Sequence, residues 1–244
     1  MLKFLQPKPI FLGASKQAVL LLHSYTSTLR DMKPLAEFLH QHNFSTYAIN
    51  YTGHGLDIDQ FIQSTPEDWL NDAIHAFQFL QNKGYTNIAV IGVSLGAILS
   101  LRLCQLLQPS ACIVMSTPYS RSENDLFDRL KNYALYLAKF ENKTVDINEL
   151  AERSKVQIHH FQKLIQQTIT DLDQINQPIS INYGKLDAKL DAKLYQESAD
   201  YILEHVHSAI KTIQSYPHAG HLMTLSSDQA QLYQDILHFL KKNL

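Results

Sequence analysis

One serine of this chain lies in a sequence pattern that is typical of an activated nucleophile. Ser94 is the centre of Gly92-Val93-Ser94-Leu95-Gly96, a G-x-S-x-G sequence between the apolar run 88–91 and a helical stretch, 97–107. A nucleophile elbow requires a strand, a sharp turn and a helix, and small neighbours let the strand and helix approach closely. The alternative is an ordinary turn whose glycines serve packing alone. The pattern predicts a nucleophilic serine at position 94.

A serine hydroxyl is a weak nucleophile, so it needs a base, and the base needs an orienting acid. After an elbow, the acid is expected before the histidine along the chain, just past a later strand. Asp187 follows the apolar run 179–184 and is the predicted acid. Asp191 repeats the local sequence four residues later and is its rival, and either could be a solvated loop charge.

The predicted base is a histidine that follows the last strand. Two histidines, His218 and His221, follow the apolar run 209–215. We favour His221, because Gly220 beside it permits a close approach to the serine.

An oxyanion hole needs two N–H donors near the nucleophile. One is the N–H of the residue after the nucleophile, which is Leu95. The other comes from the loop after an early strand, here 23–27, in which the Tyr25 N–H is the favoured donor.

The elements that position these residues alternate between strand and helix. Short apolar runs, each typical of a buried parallel strand, cover 18–23, 44–50, 87–92, 111–116, 179–184 and 209–215. Helical patterns separate them, which predicts an α/β fold with a mostly parallel, twisted sheet flanked by helices. Residues 118–173 contain helical patterns and no strand candidate. We therefore expect a single domain, 1–244, with an inserted helical cap over 118–173.

Composition excludes several classes of protein. The chain has 244 residues, 45% of them hydrophobic, and 21 basic against 23 acidic residues give a formal net charge of -2. No basic excess supports a phosphate-driven nucleic-acid binder. No apolar run approaches the about eighteen residues that span a bilayer, and residues 1–12 do not resemble a signal peptide, so the cytoplasm is the expected location. Cys104 and Cys112 lie in apolar stretches and are expected to be buried, reduced thiols.

Several motifs together resemble the α/β-hydrolase superfamily, in particular its bacterial carboxylesterase and monoacylglycerol-lipase-like branch. In chain order they are Leu20-Leu21-Leu22-His23, Tyr51-Thr52-Gly53-His54-Gly55, Gly92-Val93-Ser94-Leu95-Gly96, Gly184-Lys185-Leu186-Asp187 and Gly220-His221. Residues 51–69, ending in Thr65-Pro66-Glu67-Asp68-Trp69, are similar to that branch specifically. The family usually has glycine after the strand-ending histidine, where this chain has Ser24.

The resemblance implies the α/β-hydrolase fold, with Ser94 as nucleophile, Asp187 as acid, His221 as base, and Tyr25 and Leu95 as oxyanion donors. It places residues 53–55 in a structural turn near the site, with His54 outside the triad.

These residues predict a serine hydrolase that cleaves carboxylic esters through an acyl-enzyme. The predicted partner is a small ester with an apolar acyl or alcohol group, of short to medium chain length or monoacylglycerol-like. No cofactor, metal, nucleic acid or stable membrane anchor is expected, and no oligomeric state is predicted. The alternatives are a thioesterase or other acyl hydrolase on the same triad, or a non-catalytic binding protein of the same fold.

Overall fold

The computed structural model describes residues 7–186 and 189–244, and within them seven strands form one sheet flanked by helices. The strands are β1 (Ile10–Leu12), β2 (Gln17–Leu22), β3 (Ser45–Ala48), β4 (Asn87–Val93), β5 (Ala111–Met115), β6 (Ile179–Gly184) and β7 (Lys211–Tyr216). The helices are α1 (Lys33–Gln41), α2 (Ile58–Gln63), α3 (Pro66–Asn82), α4 (Leu95–Leu107), α5 (Glu123–Glu141), α6 (Ile147–Thr170), α7 (Lys189–His205) and α8 (Gln229–Asn243). Short 3₁₀ turns cover Leu29–Asp31, Leu172–Gln174 and Met223–Leu225.

The sheet is mostly parallel, as the sequence predicted. Its strand order is β1-β3-β2-β4-β5-β6-β7, and every pair is parallel except β1 with β3. Each of the six predicted strands is present, with ends that differ by at most two residues. The antiparallel strand β1 was not predicted. β4 lies near the middle of the sheet, so the residue that follows it emerges at the centre of the strands' carboxyl edge.

Alternating side chains of the strands build a core on each face of the sheet. On β2, Val19 and Leu21 join one cluster with apolar residues of α1 and α8. Leu20 and Leu22 join the opposite cluster with apolar residues of α3 and α4. Because helices cover both faces, the central strands are apolar throughout, which is why they were recognisable as continuous apolar runs.

The start of α3 follows from its capping residues. The Thr65 side chain accepts from the Asp68 N–H, and the Asp68 carboxylate accepts from the Thr65 N–H, which forms a capping box. Pro66 occupies the first turn, where its missing N–H leaves no helical hydrogen bond unmade. These residues therefore set the N-terminus of α3.

The stretch 118–173 is described throughout and contains α5, α6 and one 3₁₀ turn, with no strand. α6 contacts α2, α3 and α4. At the end of α6, the Arg102 guanidinium on α4 pairs with the Asp171 carboxylate at 2.7 Å. The strand-free stretch is therefore helical and packed on the domain, and its role as a cap stays a prediction.

Both cysteines are buried and neither forms a disulfide, as expected. No helix in the described part of the chain is both long enough and apolar enough to cross a membrane.

Candidate active site

Ser94 lies in a strained turn between β4 and α4. Its φ of 56° and ψ of −111° are unusual for a residue with a side chain, and such strain concentrates at functional sites. Backbone hydrogen bonds hold it there, because the Ser94 N–H donates to the Met115 carbonyl at 2.9 Å and the Ser94 carbonyl accepts from the Ala97 and Ile98 N–H groups. Ser94 is 9% exposed. The predicted strand, turn and helix are therefore present around this serine.

Two glycines make that turn sterically possible. A Cβ built at Gly92 would lie 2.0 Å from the Gly96 carbonyl oxygen, far inside van der Waals contact. A Cβ at Gly96 would lie 2.1 Å from the Leu22 carbonyl oxygen. The first glycine lets the strand and helix touch, and the second lets the start of α4 press against the end of β2.

This close approach brings together the two segments that carry the predicted oxyanion donors. Leu95 is the first residue of α4, so its N–H has no partner within the helix. Tyr25 lies three residues beyond Leu22, in the loop that follows β2. The two N–H groups thus belong to neighbouring segments at one edge of the sheet.

Buried side chains hold Tyr25 in place. Nε2 of His54 lies 2.7 Å from the Tyr25 carbonyl oxygen, and the Tyr25 hydroxyl donates to Oε1 of Gln157 on α6 at 3.0 Å. Gln157 in turn donates to the carbonyls of Phe61 and Ser64. The Tyr25 ring packs against Phe61, Trp69 and Phe161. The peptide groups of this loop therefore have fixed orientations.

The two buried histidines of this region are neutral structural residues. Burial, with the nearby His54 as a smaller cause, lowers the pKa of His23 well below its ordinary value. Its Nε2 accepts from the Tyr51 N–H, so its Nδ1 carries the proton and donates to the Ser24 carbonyl at 2.8 Å. Burial likewise lowers the pKa of His54 to about 4. The resemblance placed His54 outside the triad, and its contacts are those of a loop support.

The two candidate bases occupy different environments. The side chain of His218 is 68% exposed and pairs with Asp228 at the start of α8, with Nδ1 3.1 Å from Oδ1. His221 is half-buried, and its Nδ1 shares a hydrogen bond of 2.8 Å with the Tyr195 hydroxyl of α7. His218 thus faces solvent, whereas His221 is held on the inner side of its loop.

A short chain of hydrogen bonds joins the His221 loop to the nucleophile turn. Ser94 bonds to Met115, the last residue of β5, and the hydroxyl of the next residue, Ser116, donates to the His221 carbonyl at 3.1 Å. These links bring Ser94 and His221 to the same part of the carboxyl edge.

The predicted acid, Asp187, lies outside the described residues, as does the side chain of its rival Asp191. The residues before Asp187 run beside the His221 loop, because the Leu186 N–H donates to the Ala219 carbonyl at 3.0 Å. A Cβ at Gly184 would lie 2.2 Å from that same carbonyl oxygen, whereas a Cβ at Gly220 would meet nothing within 4 Å. A side chain at Gly220 would thus meet no neighbour, and Gly184 is the glycine that the packing of these loops requires.

Sequence reasoning missed several polar residues that support the site, including Gln157 and Tyr195. The Tyr195 hydroxyl, which contacts His221, also accepts from Nη2 of Arg121 at 2.6 Å. Each contact joins side chains far apart in the chain, so neither helical nor strand periodicity signals it. The described residues contain no group of three or more His, Cys, Asp or Glu side chains placed to hold a metal ion.

Comparisons with known proteins define the class to which this fold and site belong. The family model described as serine aminopeptidase, S33, matches residues 13–157, which is more than half of the chain. The chain belongs to this family of α/β-hydrolases, and both the predicted fold and the resemblance are confirmed.

Two curated relatives match almost the whole chain. A carboxylesterase of Bacillus subtilis (strain 168) is 29% identical, and the alignment covers 99% of each chain. A thermostable monoacylglycerol lipase of Bacillus sp. (strain H-257) is 25% identical over 97% of this chain and 95% of the relative.

Solved structures agree on the fold. A metagenome-derived lipolytic enzyme matches with a TM-score of 0.78 at 17% identity, over 96% of this chain and 97% of the other. A monoacylglycerol lipase of Paleococcus ferrophilus matches with a TM-score of 0.73 at 14% identity, over 98% of this chain and 100% of the other.

Proposed function

We propose that this protein hydrolyses carboxylic esters through an acyl-enzyme on Ser94, with His221 as base and Asp187 as acid. The class of enzyme predicted from the sequence, an ester hydrolase, is confirmed by the two full-length curated relatives, which are a carboxylesterase and a monoacylglycerol lipase. The roles of the individual residues are our assignment.

In this mechanism His221 takes the proton of the Ser94 hydroxyl as the serine attacks the ester carbonyl. The Leu95 and Tyr25 N–H groups stabilise the negative charge on the carbonyl oxygen in the tetrahedral intermediate. His221 then gives its proton to the leaving alcohol. Water activated by His221 releases the acid and regenerates the serine.

The strained conformation of Ser94 is the observation that carries this assignment. A positive φ costs free energy, and here glycine contacts and backbone hydrogen bonds on both sides hold the residue in it. The result is a serine at the end of a central strand, beside the first N–H groups of a helix. This environment suits a nucleophile whose attack creates a negatively charged tetrahedral intermediate.

The geometry also favours His221 over His218 as the base. His218 is exposed and bound to Asp228 at the start of α8, whereas His221 is linked through Ser116 to the segment that holds Ser94. The loop that leads to Asp187 bonds to the backbone just before His221. This contact, made by the residue before Asp187, supports our assignment of Asp187 as the acid that orients His221.

We expect the substrate to be a small ester with an apolar acyl or alcohol group. Apolar side chains of α5 and α6, among them Leu130 and Phe161, are buried in the same core cluster as Tyr25. We propose that the predicted cap extends this apolar cluster over the site, where an apolar lining would favour a hydrocarbon group over a charged one. The cytoplasmic location stays a prediction.

Hydrolysis of a substrate panel by wild type and the Ser94→Ala variant tests the function. The panel holds p-nitrophenyl esters, acyl-CoA thioesters and aminoacyl amides. We expect wild type to prefer the esters, and Ser94→Ala to lose about 10⁴-fold or more in kcat, because removing a nucleophile leaves only binding and oxyanion stabilisation. A fluorophosphonate probe should label Ser94, with the adduct located by mass spectrometry.

Ser100→Ala is the matched control, because Ser100 is a buried serine of α4 whose hydroxyl donates to the Gly96 carbonyl at 2.8 Å. We expect it to keep its activity. Ester hydrolysis by Ser94→Ala near the wild-type rate would contradict the mechanism, and preference for thioesters or amides would change the substrate class.

A further inference from the structure

A buried carboxylate beside the oxyanion loop has no role in the mechanism above. Asp31 ends the 3₁₀ turn after that loop and is only 3% exposed. The Ser24 hydroxyl donates to its Oδ2 at 2.8 Å, and the Ser27 hydroxyl donates to its Oδ1. Burying a carboxylate costs free energy unless hydrogen bonds replace its water, and these two hydroxyls supply that replacement.

The two hydroxyl donors lie on either side of the predicted oxyanion donor. Ser24 precedes Tyr25 directly, and Ser27 follows it by two residues. Both hydroxyls donate to the same carboxylate, so Asp31 connects the two ends of the loop. A glycine at position 24 would have no hydroxyl to offer and could not make this tether.

Asp31 also connects the oxyanion loop to the segment after the base. The Thr224 hydroxyl, three residues beyond His221, donates to the Asp31 backbone carbonyl at 2.7 Å. The Thr224 carbonyl in turn accepts from the Tyr233 hydroxyl of α8 at 2.7 Å. One residue therefore bonds to the loops on both sides of the site.

The charges of Asp31 and His221 act on each other. Burial raises the pKa of the Asp31 carboxyl, while hydrogen bonds from Ser27 and Ser24 and the positive charge of His221 lower it. The interaction is mutual, so an ionised Asp31 favours the imidazolium form of His221. Among the described residues, the buried Tyr51 phenol lies near Asp31 and the Tyr195 hydroxyl contacts His221. In our mechanism the Asp187 carboxylate also acts on His221.

We propose that Asp31 is a positioning residue of the active site, which fixes the oxyanion loop through Ser24 and Ser27, bonds to the segment after the base through Thr224, and places a negative charge near His221. This inference rests on the proposed ester hydrolysis. It predicts two separable effects, one on the placement of the Tyr25 N–H and one on the titration of the base.

The test compares kcat, KM and the pH profile of kcat/KM for Asp31→Asn and wild type on one p-nitrophenyl ester. We expect kcat to fall about 10- to 100-fold with little change in KM, because a misplaced oxyanion donor acts on the transition state. The acid limb of the profile should move to lower pH, because loss of a negative charge makes His221 harder to protonate.

Single serine variants separate the tether from the charge. Ser24→Ala and Ser27→Ala each remove one hydroxyl and keep the carboxylate, so we expect a smaller fall in kcat with the acid limb in place. Asp235→Asn is the matched control, because the half-buried Asp235 accepts from the Tyr216 hydroxyl at 2.9 Å and takes no part in the site. It should leave kcat and the profile unchanged.

Wild-type kcat and an unmoved acid limb in folded Asp31→Asn would overturn the inference. If Asp31→Asn does not fold, wild-type kcat in both serine variants would overturn it instead. A folded wild type that cleaves none of the esters would overturn the proposed function, and this inference with it. Active wild type together with inactive Ser94→Ala would leave the proposed function standing whatever the Asp31 variants do.

Discussion

The nucleophile side and the base side of the candidate site are built in different ways. On the nucleophile side, Ser94 sits in a turn that Gly92 and Gly96 make possible, against a loop whose side chains are buried. On the base side, His221 is half-buried on a loop after β7 and is held by contacts with β5 and α7. The backbone geometry of one short motif fixes the nucleophile, whereas contacts with other segments hold the base.

This difference teaches which parts of a catalytic site can be predicted from a sequence. Where a Cβ would lie only about 2 Å from a backbone oxygen, the residue has to be glycine. Such glycines form a motif of fixed spacing, which distinguished Ser94 from the other serines. A histidine on a loop carries no such mark, and His218 and His221 lie only three residues apart. Choosing between them requires knowing which one faces the sheet edge.

Among these predictions, removal of the base should cause the largest loss of kcat. We expect His221→Ala to lose about 10³- to 10⁵-fold in kcat, because it removes the group that takes the serine proton in our mechanism, whereas His218→Ala should stay near wild type. A comparison of Asp187→Asn with Asp191→Asn in the same assay identifies the acid. Activity that is lost in His218→Ala and kept in His221→Ala would reverse the assignment and move the base to the exposed side of the loop.

A second prediction concerns the glycines of the base side. Gly184→Ala should cost about 1–3 kcal/mol of stability, because its Cβ would lie 2.2 Å from the Ala219 backbone oxygen, which cannot move away cheaply. The shift of the loops that carry Asp187 and His221 should also lower kcat, by up to about 100-fold.

Gly220→Ala is the matched control on the same loop, since its Cβ would meet nothing within 4 Å. We expect activity within about twofold of wild type, as for an unstrained substitution. Thermal unfolding and ester hydrolysis of both variants check the pair. A severe defect in Gly220→Ala with a mild one in Gly184→Ala would show instead that Gly220 is the glycine that the loop packing requires.

Much of the fold could be predicted because buried parallel strands are continuous apolar runs. β6 was predicted with its observed ends, and the capping residues of α3 placed the start of that helix. β1 was missed because three residues, Ile10–Leu12, are too few to show a periodic pattern. Only its pairing with β3 makes it a strand.

The polar supports of the site could not be predicted for a related reason. Asp31, Gln157 and Tyr195 each act through a partner on another element, and the Tyr25–Gln157 pair spans 132 positions. The sequence does not distinguish a buried aspartate or glutamine from an exposed one, because burial depends on the completed fold. The motif therefore identifies the nucleophile, while its supports become visible only in three dimensions.

The last expected effect is on stability and not on activity, and it belongs to the nucleophile side alone. Burial lowers the pKa of His54 to about 4 from its ordinary 6.5, so the unfolded chain binds a proton between these values that the folded chain does not. Stability should therefore be intact above about pH 6.5 and fall as the pH drops towards 4. The His54 share of that loss is roughly 3 kcal/mol.

Urea unfolding of wild type and His54→Gln at several pH values between 4 and 7.5 measures this share. His54→Gln should be less stable at pH 7, because the contact with the Tyr25 carbonyl is disturbed, but it should lose less stability on acidification. His23, whose pKa is also lowered by burial, contributes a loss of the same sign that remains in the variant. His75→Gln, a change at an exposed position of α3, should follow the wild-type curve. If wild type and His54→Gln lost stability equally between pH 6.5 and 4, His54 would not be a buried, neutral support of the oxyanion loop.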